Sequence, residues 1–302
     1  MLSKHVVPPD PFATRLSLFT GKGGVGKTTV VAALATEAAR RGQRPLIVEL
    51  GHRASMQAVF GVPSIGHAPV EVSPGVFATN IDLDAALRDY IADHVPIAAL
   101  AKRIAESPSM ARFFEAAPAV GEVLTLQRLE ELLEGPWDPV LVDFDATGHA
   151  LMFLELPRVF DGLVSDGPVH RLLESFARLL SDPDRTALHL VTLAAALPVQ
   201  ETVELFCTLR DEHAVRRGSL FVNRVPAAPA STVDDIARWI ELLPDMHPAR
   251  TDLGLLAAQH RQRARAEAQL VRLRTEVDMP LVPLPEQSRL DLEALGRLAG
   301  AP

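Results

Sequence analysis

Residues 18–34, LFTGKGGVGKTTVVAAL, contain the pattern G-x-x-x-x-G-K-T followed by a second threonine. Closely spaced glycines let backbone N–H groups converge on phosphate oxygens at the positive end of a following helix. In this pattern Lys27 reaches the β- and γ-phosphates of a nucleotide, and the Thr28 hydroxyl is a ligand for Mg²⁺. The sequence therefore predicts a site for ATP/ADP and Mg²⁺ formed by Gly21, Gly23, Gly24, Val25, Gly26, Lys27, Thr28 and Thr29.

The loop carries a second lysine, Lys22, directly after its first glycine. An ordinary loop of this type binds its nucleotide with one lysine, so Lys22 needs another explanation. A second cation at the phosphates can stabilise charge in phosphoryl transfer, as an arginine finger does. The alternative is a solvated lysine on an exposed loop.

The elements that position this loop follow from the pattern of apolar residues. Apolar runs rich in β-branched residues alternate with longer helical patterns, which is typical of a parallel sheet covered by helices on both faces. A helix over residues 29–41, ending near Gly42, follows the first strand, so the loop has the strand and helix that its motif requires. The predicted class is α/β, with a doubly wound, mostly parallel sheet. The predicted strands are 16–20, 45–50, 139–144, 188–193, 220–223 and 281–284.

One phosphate loop in 302 residues predicts a single ATPase unit and not a tandem pair. We expect residues 1–14 to be an N-terminal tail and residues 15–302 to be the domain. A helical subdomain over about residues 82–134 is expected between the second and third strands, because apolar residues recur there at helical spacing. Near the end, residues 253–277 predict a long helix whose charges of alternating sign face solvent.

Composition excludes several classes of protein. The net charge of −8 argues against long-range attraction to nucleic acid or to an anionic membrane surface. Cys207 is the only cysteine, which excludes an intramolecular disulfide and an intrachain thiolate cluster. No signal peptide and no run of about 18 apolar residues is found. We therefore expect a cytoplasmic protein without stable membrane insertion.

The stretch GKGGVGKTT resembles the deviant Walker A motif of a class of P-loop NTPases. That class includes the ArsA ATPases, the tail-anchored-protein-targeting (Get-type) ATPases and the MinD and ParA positioning ATPases. In the class, the lysine that matches Lys22 reaches across a nucleotide-bound dimer to phosphates held by the other subunit. The resemblance therefore implies that Lys22 acts in trans, in a catalytic set with Lys27 and Asp143.

Residues 139–157, PVLVDFDATGHALMFLELP, are similar to the second switch of the ArsA and Get-type branch. The similarity implies that Asp143 holds Mg²⁺ through water, together with Thr28. It also implies that the Gly148 N–H meets the γ-phosphate and that Thr147 and His149 carry the switch. Taken alone, His149 is more often a packing or capping residue.

Two later stretches resemble the adenine-binding part of the same family. SLFVNRV ends in a strand asparagine, which implies that Asn223 hydrogen-bonds the adenine. LVPLPEQSR resembles the family's adenine loop, which implies that Pro283 and Leu284 flank the base. The resemblance runs from about residue 16 to residue 289.

The sequence departs from the family at the first switch, where an aspartate positions the attacking water. Aligned without gaps, RPLIVELGHRASMQAVFG places Gly51 in that position. Glu49, two residues earlier, can replace the aspartate only if the strand ends early. The roles of Glu49, His52 and Arg53 stay open, and we expect intact nucleotide binding with slow hydrolysis.

The resemblance predicts an ATP-dependent dimeric switch of the ArsA-like branch that acts on an unidentified protein client. The dimer is either a homodimer or a heterodimer with a paralogue. The specialised residues of characterised branches are absent: there is no thiolate cluster for metalloids and no C-x-x-C zinc clasp after Asn223. The alternatives are a nucleotide-loaded scaffold or pseudo-ATPase that pairs with an active paralogue, a ParA/MinD-type positioning ATPase, and a P-loop kinase of a small metabolite.

Overall fold

The computed structural model describes residues 10–50, 55–83, 85–88, 118–145, 147–160 and 166–301. Its centre is an eight-stranded sheet with the order β3-β4-β2-β5-β1-β6-β7-β8. The strands are β1 (Leu16–Thr20), β2 (Leu46–Leu50), β3 (Val70–Ser73), β4 (Val76–Asn80), β5 (Val140–Phe144), β6 (Thr186–Leu193), β7 (Arg217–Val225) and β8 (Leu281–Pro285).

Helices cover both faces of this sheet. The helices of the described residues are α1 (Lys27–Arg40), α2 (Ser55–Phe60), α3 (Pro118–Glu134), α4 (Thr147–Val159), α5 (Pro168–Ser181), α6 (Ala196–Glu212), α7 (Val233–Leu242), α8 (Ala249–Glu276) and α9 (Leu292–Ala299). In the described part of the chain, no helix combines the length and the apolar character that crossing a membrane requires.

All neighbouring strands pair in parallel except β3 and β4. The central strands β1, β2 and β5 are buried along their whole length. Strands that are buried on both faces contain mostly apolar residues, which is why the sequence identified them as unbroken apolar runs. The predicted α/β class with a doubly wound, mostly parallel sheet is confirmed.

All six predicted strands are present, and β6 and β7 are longer than predicted. The hairpin of β3 and β4 was not predicted, because β3 is a short strand at the edge of the sheet with two exposed residues. The dipeptide Pro74-Gly75 between the two strands is a turn signal that could have identified the hairpin. Gly75 has the positive φ of +74° that such a turn favours.

The predicted helical subdomain is described only in part. Helix α3 lies in the last part of the predicted range and packs on the sheet, and residues 89–117 lie outside the described residues. At the other end of the chain, part of the predicted tail is packed against the domain. Phe12 is buried, and the guanidinium of Arg41 lies 4.4 Å from the centre of its ring. Packed structure therefore begins before the predicted boundary at residue 15.

The core has two layers, one on each face of the sheet. Helices α1 and α9 cover one face, and α3, α4, α5, α6 and α8 cover the other. Helix α8 buries Leu253, Leu270 and Leu273, while most of its charged residues are exposed, as its sequence predicts. These two layers fix the carboxyl ends of the central strands, where the candidate site lies.

Candidate nucleotide-binding site

The glycine-rich loop connects the central strand β1 to helix α1 and is held against neighbouring strands. Gly21 has a φ of +151°, and a Cβ at this position would lie 2.1 Å from the carbonyl oxygen of Val191 in β6. Gly26 has a φ of +91° and precedes the first residue of α1. A Cβ there would lie 2.3 Å from Nδ2 of Asn223. Both positions therefore require glycine.

Lys27 is buried within its own loop. Its Nζ donates hydrogen bonds to the carbonyl oxygens of Gly21, at 3.0 Å, and Lys22, at 3.2 Å. These bonds fold the long side chain back over the loop. The ammonium group is therefore positioned where a phosphate-binding loop concentrates positive charge.

Thr28 and Asp143 are brought together by the adjacent strands β1 and β5, in which Phe19 lies opposite Asp143. The Thr28 hydroxyl donates to Oδ2 of Asp143 at 2.7 Å. Among the described residues, Oδ1 of the buried Asp143 has no hydrogen-bond partner. Burial raises the pKa of this carboxyl to about 7, while the hydrogen bond from Thr28 and the charge of Lys27 lower it. A hydroxyl and an unsatisfied carboxylate oxygen are the hard oxygen ligands that Mg²⁺ prefers, so this pair fits the ion.

A cavity of about 260 Å³ opens at this point of the sheet. It brings together the loop, the end of β2 and the end of β5, which the sequence places far apart. Asp145 and Arg224 also contribute to it, and sequence reasoning missed both. The cavity is lined by Gly24, Gly26, Lys27, Thr28, Glu49, Leu50, Ser55, Asp143, Asp145 and Arg224.

Glu49 lies in the strand, because β2 continues to Leu50. Its Oε1 accepts hydrogen bonds from the backbone N–H groups of Ser55, at 2.7 Å, and Met56, at 3.1 Å. Its Oε2 accepts a third from Nδ2 of Asn80 at 3.3 Å. Burial raises the pKa of this carboxyl, and the three donors oppose that effect. Glu49 thus fixes the start of α2, and the early strand end that would free it for catalysis is not observed. Residues 51–54, with Gly51, His52 and Arg53, lie outside the described residues.

The predicted second switch forms the start of α4. Gly148 is exposed, and Nδ1 of the half-exposed His149 lies 2.7 Å from Oδ1 of Asp145, so the two form an ion pair when the imidazole is protonated. Burial raises the pKa of Glu122, and the charge of protonated His149 opposes that shift, so a second acidic side chain lies near this imidazole. The i, i+4 spacing of Asp145 and His149 was a sequence signal for this contact. Ala146 lies outside the described residues.

The three residues predicted to contact the adenine base lie in different surroundings. Asn223 is buried and donates from Nδ2 to the carbonyl oxygen of Val25 at 3.0 Å, which ties β7 to the phosphate loop. Leu284 is completely buried in the core. Pro283 lines a separate cavity of about 240 Å³, together with Pro226 and other residues. The structure therefore brings Asn223 to the loop and leaves Pro283 and Leu284 apart from the cavity.

Lys22 lies outside this cavity, on the rim of the loop. Its Nζ is 2.6 Å from Oε1 of Glu201 in α6, and its side chain is 58% exposed. Glu201 was not singled out from the sequence. The two lysines of the loop thus occupy different environments, one enclosed by its own loop and one facing solvent.

The comparisons with known proteins agree with this site. The family model for anion-transporting ATPases matches residues 14–167, which include the loop, Thr28 and Asp143. The ATPase BagA of Mycobacterium tuberculosis is 31% identical over 314 aligned residues, covering 94% of this chain and 91% of that protein. An arsenical pump-driving ATPase of Acidiphilium multivorum is 34% identical over 74% of this chain and 41% of its own length. An arsenical pump-driving ATPase of Escherichia coli is 33% identical, again over 74% of this chain and 41% of its own length. The chain belongs to the ArsA family of anion-transporting ATPases.

Proposed function

We propose that this ATPase works as a nucleotide-dependent dimeric switch in the cytoplasm. Mg-ATP binds in the loop cavity, and two chains close over their nucleotides so that each Lys22 meets the phosphates held by the other chain. The proposal rests on one observation, the different environments of the two loop lysines. Lys27 is held inside its own loop, whereas Lys22 is on the exposed rim, where a second subunit can meet it.

The nucleotide's phosphates would be bound by the backbone of residues 21–29, by Lys27 and by the Gly148 N–H. Thr28 and Asp143 would hold Mg²⁺, which offsets the negative charge of the phosphates when it is bound. Asn223, which supports the loop at Val25, would hydrogen-bond the adenine. Pro283 and Leu284 remain candidates for flanking the base. For Leu284 this role requires a rearrangement, because the side chain is completely buried.

Slow hydrolysis follows from the first switch. Gly51 offers no carboxylate, and both oxygens of Glu49 accept hydrogen bonds within the chain. This favours, as a second candidate function, a nucleotide-loaded scaffold or pseudo-ATPase that forms a heterodimer with an active paralogue. In either case the partner is a protein client and not nucleic acid. The match to anion-transporting ATPases argues against a ParA/MinD-type protein and against a small-metabolite kinase.

The ion pair of Lys22 with Glu201 does not block a role in trans. An ion pair between a lysine this exposed and a carboxylate contributes only about 0–1 kcal/mol, because solvent screens it. A phosphate group is a stronger partner, because it carries more negative charge than a carboxylate. When the dimer closes over nucleotide, the ammonium group of Lys22 can therefore leave Glu201 and bind a phosphate instead.

The test separates the two lysines. We expect Lys27→Ala to weaken ATP binding to the single subunit by about 10- to 100-fold, because it removes a charged donor worth roughly 1.5–3 kcal/mol. We expect Lys22→Ala to leave that affinity within about twofold of wild type and to reduce dimer formation with a non-hydrolysable ATP analogue. Calorimetry measures the first quantity, and sedimentation with ADP or the analogue measures the second. Equal loss of nucleotide affinity in both variants contradicts the role of Lys22 in trans.

A further inference from the structure

A cluster of three side chains with metal-ligating atoms lies outside the nucleotide site. It contains Glu155 in α4, Glu212 at the end of α6, and His213, which follows that helix. One ligand atom from each side chain lies within 4.8 Å of the others. Nε2 of His213 and Oε1 of Glu155 are 4.0 Å apart, too far for a hydrogen bond. The geometry leaves a gap between an imidazole and two carboxylates.

The His213 imidazole is the unusual member of the cluster. Its side chain is only 4% exposed, and among the described residues its Nε2 has no hydrogen-bond partner. Burial lowers the pKa of this imidazole, although Glu155 and Glu212 oppose the shift. When the proton is on Nδ1, Nε2 directs a lone pair towards the carboxylates. A buried acceptor that faces other acceptors is unfavourable unless something positive lies between them.

We propose that Glu155, Glu212 and His213 bind a divalent transition-metal ion of the Zn²⁺ type. Zn²⁺ accepts both imidazole nitrogen and carboxylate oxygen at about 2.0–2.2 Å, and three protein ligands leave one position for water. Imidazole favours Zn²⁺ and its neighbours over Mg²⁺ and Ca²⁺, which prefer all-oxygen sites.

Closing the site requires side-chain movements of about an ångström. Two tetrahedral ligands of one Zn²⁺ ion lie about 3.4 Å apart, so the pair now separated by 4.0 Å must approach by roughly half an ångström, and a pair at the 4.8 Å limit by about 1.4 Å. Glu155 is the more exposed partner and can move, while His213 is held in place by burial. Nη1 of Arg158 donates to the carbonyl oxygen of Glu212 at 2.8 Å. This bond fixes α4 against the end of α6, and the single guanidinium charge leaves the two carboxylates with a net negative charge.

The location gives the site a structural consequence. Helix α4 begins at Thr147 beside the nucleotide cavity, and α6 carries Glu201, the partner of Lys22. A metal ion at Glu155 and Glu212 would link these two helices near the ends that lie away from the cavity. The inference does not depend on the proposed switch, because metal binding here needs only the three ligands.

The experiment measures metal bound by the full chain after equilibrium dialysis against micromolar Zn²⁺, with Mg²⁺ in excess to occupy magnesium sites. We expect the wild-type chain to bind one Zn²⁺ ion that depends on these three side chains. Zn²⁺ affinity should fall by at least about tenfold in Glu155→Gln and in His213→Gln. His170→Gln is the matched control, because His170 and Glu174 form an exposed His–Glu pair on α5 at 3.5 Å. That variant should bind Zn²⁺ as wild type does.

Co²⁺ in place of Zn²⁺ gives a second measurement, a visible absorption band that depends on the ligands. Glu155→Gln keeps the test decisive if His213→Gln fails to fold, because Glu155 is on the surface. Thermal unfolding without metal verifies the fold of each variant. Wild-type Zn²⁺ affinity in Glu155→Gln, or no Zn²⁺ binding by the wild-type chain, overturns the proposal.

Discussion

At the scale of single residues, the candidate site contains the groups expected to bind phosphate, and the position expected for the first-switch aspartate is Gly51, which has no carboxylate. Thr28 and Asp143 are in contact, and Asp143 keeps one buried oxygen without a partner among the described residues. Glu49 is close to them but accepts three hydrogen bonds from its own chain. Binding and hydrolysis are therefore expected to depend on different residues.

The prediction at this scale concerns the missing carboxylate. A positioned general base contributes about 10²- to 10⁴-fold to the rate, so we expect Gly51→Asp to accelerate phosphate release at saturating Mg-ATP by a factor in that range. The physical reason is that an aspartate at this position can orient and deprotonate the attacking water. Steady-state phosphate release measures the effect.

Glu49→Gln is the control for this prediction. It removes an acceptor from buried donors, so we expect a loss of roughly 1–3 kcal/mol of unfolding free energy and a turnover that remains as slow as that of wild type. Fast turnover in the wild-type chain that collapses in Glu49→Gln would show that Glu49 is the base. Fast wild-type turnover that is unaffected by Glu49→Gln would show that hydrolysis needs no carboxylate at the first switch.

At the scale of elements, helix α1 is held between the sheet and helix α9. The contact between the two helices depends on Gly296, where a Cβ would lie 2.3 Å from the carbonyl oxygen of Ala33 and 3.0 Å from Cβ of Glu37. Helix α1 begins at the phosphate loop, so this packing also supports the site.

We expect Gly296→Ala to destabilise the protein by about 1–3 kcal/mol, because the added methyl group overpacks the contact between α1 and α9. Alanine is the better helix former by about 1 kcal/mol, so helix propensity alone predicts the opposite sign. Gly254 in α8 is the matched control, because among the described residues no heavy atom lies within 4 Å of a Cβ built there. Gly254→Ala should leave stability unchanged or increase it. Urea unfolding measures both, and stabilisation by Gly296→Ala would contradict the tight contact.

At the scale of the whole molecule, stability depends on a sheet that is buried on both faces and contains a buried histidine. His189 in β6 stacks on Phe19, with ring centres 4.8 Å apart, and its Nδ1 accepts a hydrogen bond from the Ser219 N–H at 3.0 Å. Burial lowers the pKa of this imidazole from 6.5 to about 3, and the charge of Arg216 adds to the shift. The folded protein therefore keeps His189 neutral at any pH above about 3.

This histidine makes stability dependent on pH. Below pH 6.5 His189 binds a proton in the unfolded chain but stays neutral in the folded chain. The contribution of His189 to the free energy of unfolding is therefore complete above pH 6.5 and is lost as the pH falls towards 3. We expect unfolding free energy to fall by up to about 1.4 kcal/mol per pH unit across that interval from this group alone. In His189→Phe the unfolding free energy should change less steeply with pH, by that amount per pH unit, whatever the variant's stability at neutral pH. Urea unfolding at a series of pH values measures both slopes, and equal slopes would refute the assignment.

The sequence by itself determined the parts of this protein whose chemistry is local. The phosphate loop lies within nine consecutive residues, 21–29, between a strand and a helix, and its glycines, Lys27 and Thr28 follow from that pattern. Six of the eight strands were predicted because buried parallel strands are unbroken apolar runs. The ArsA family, now shown by the comparisons, followed from Lys22 and the DATGH stretch.

Only the tertiary structure decided which distant residues meet. Thr28 contacts Asp143 because β1 and β5 are neighbours, and Asn223 supports Val25 because β7 ends beside the loop. The hydrogen bonds of Glu49, and the gap between Glu155 and His213, arise in the same way from separate elements. The physical reason is that strand order and helix placement are set by burial of the whole apolar surface on both faces of the sheet, whereas periodicity reports only which face of each element is apolar.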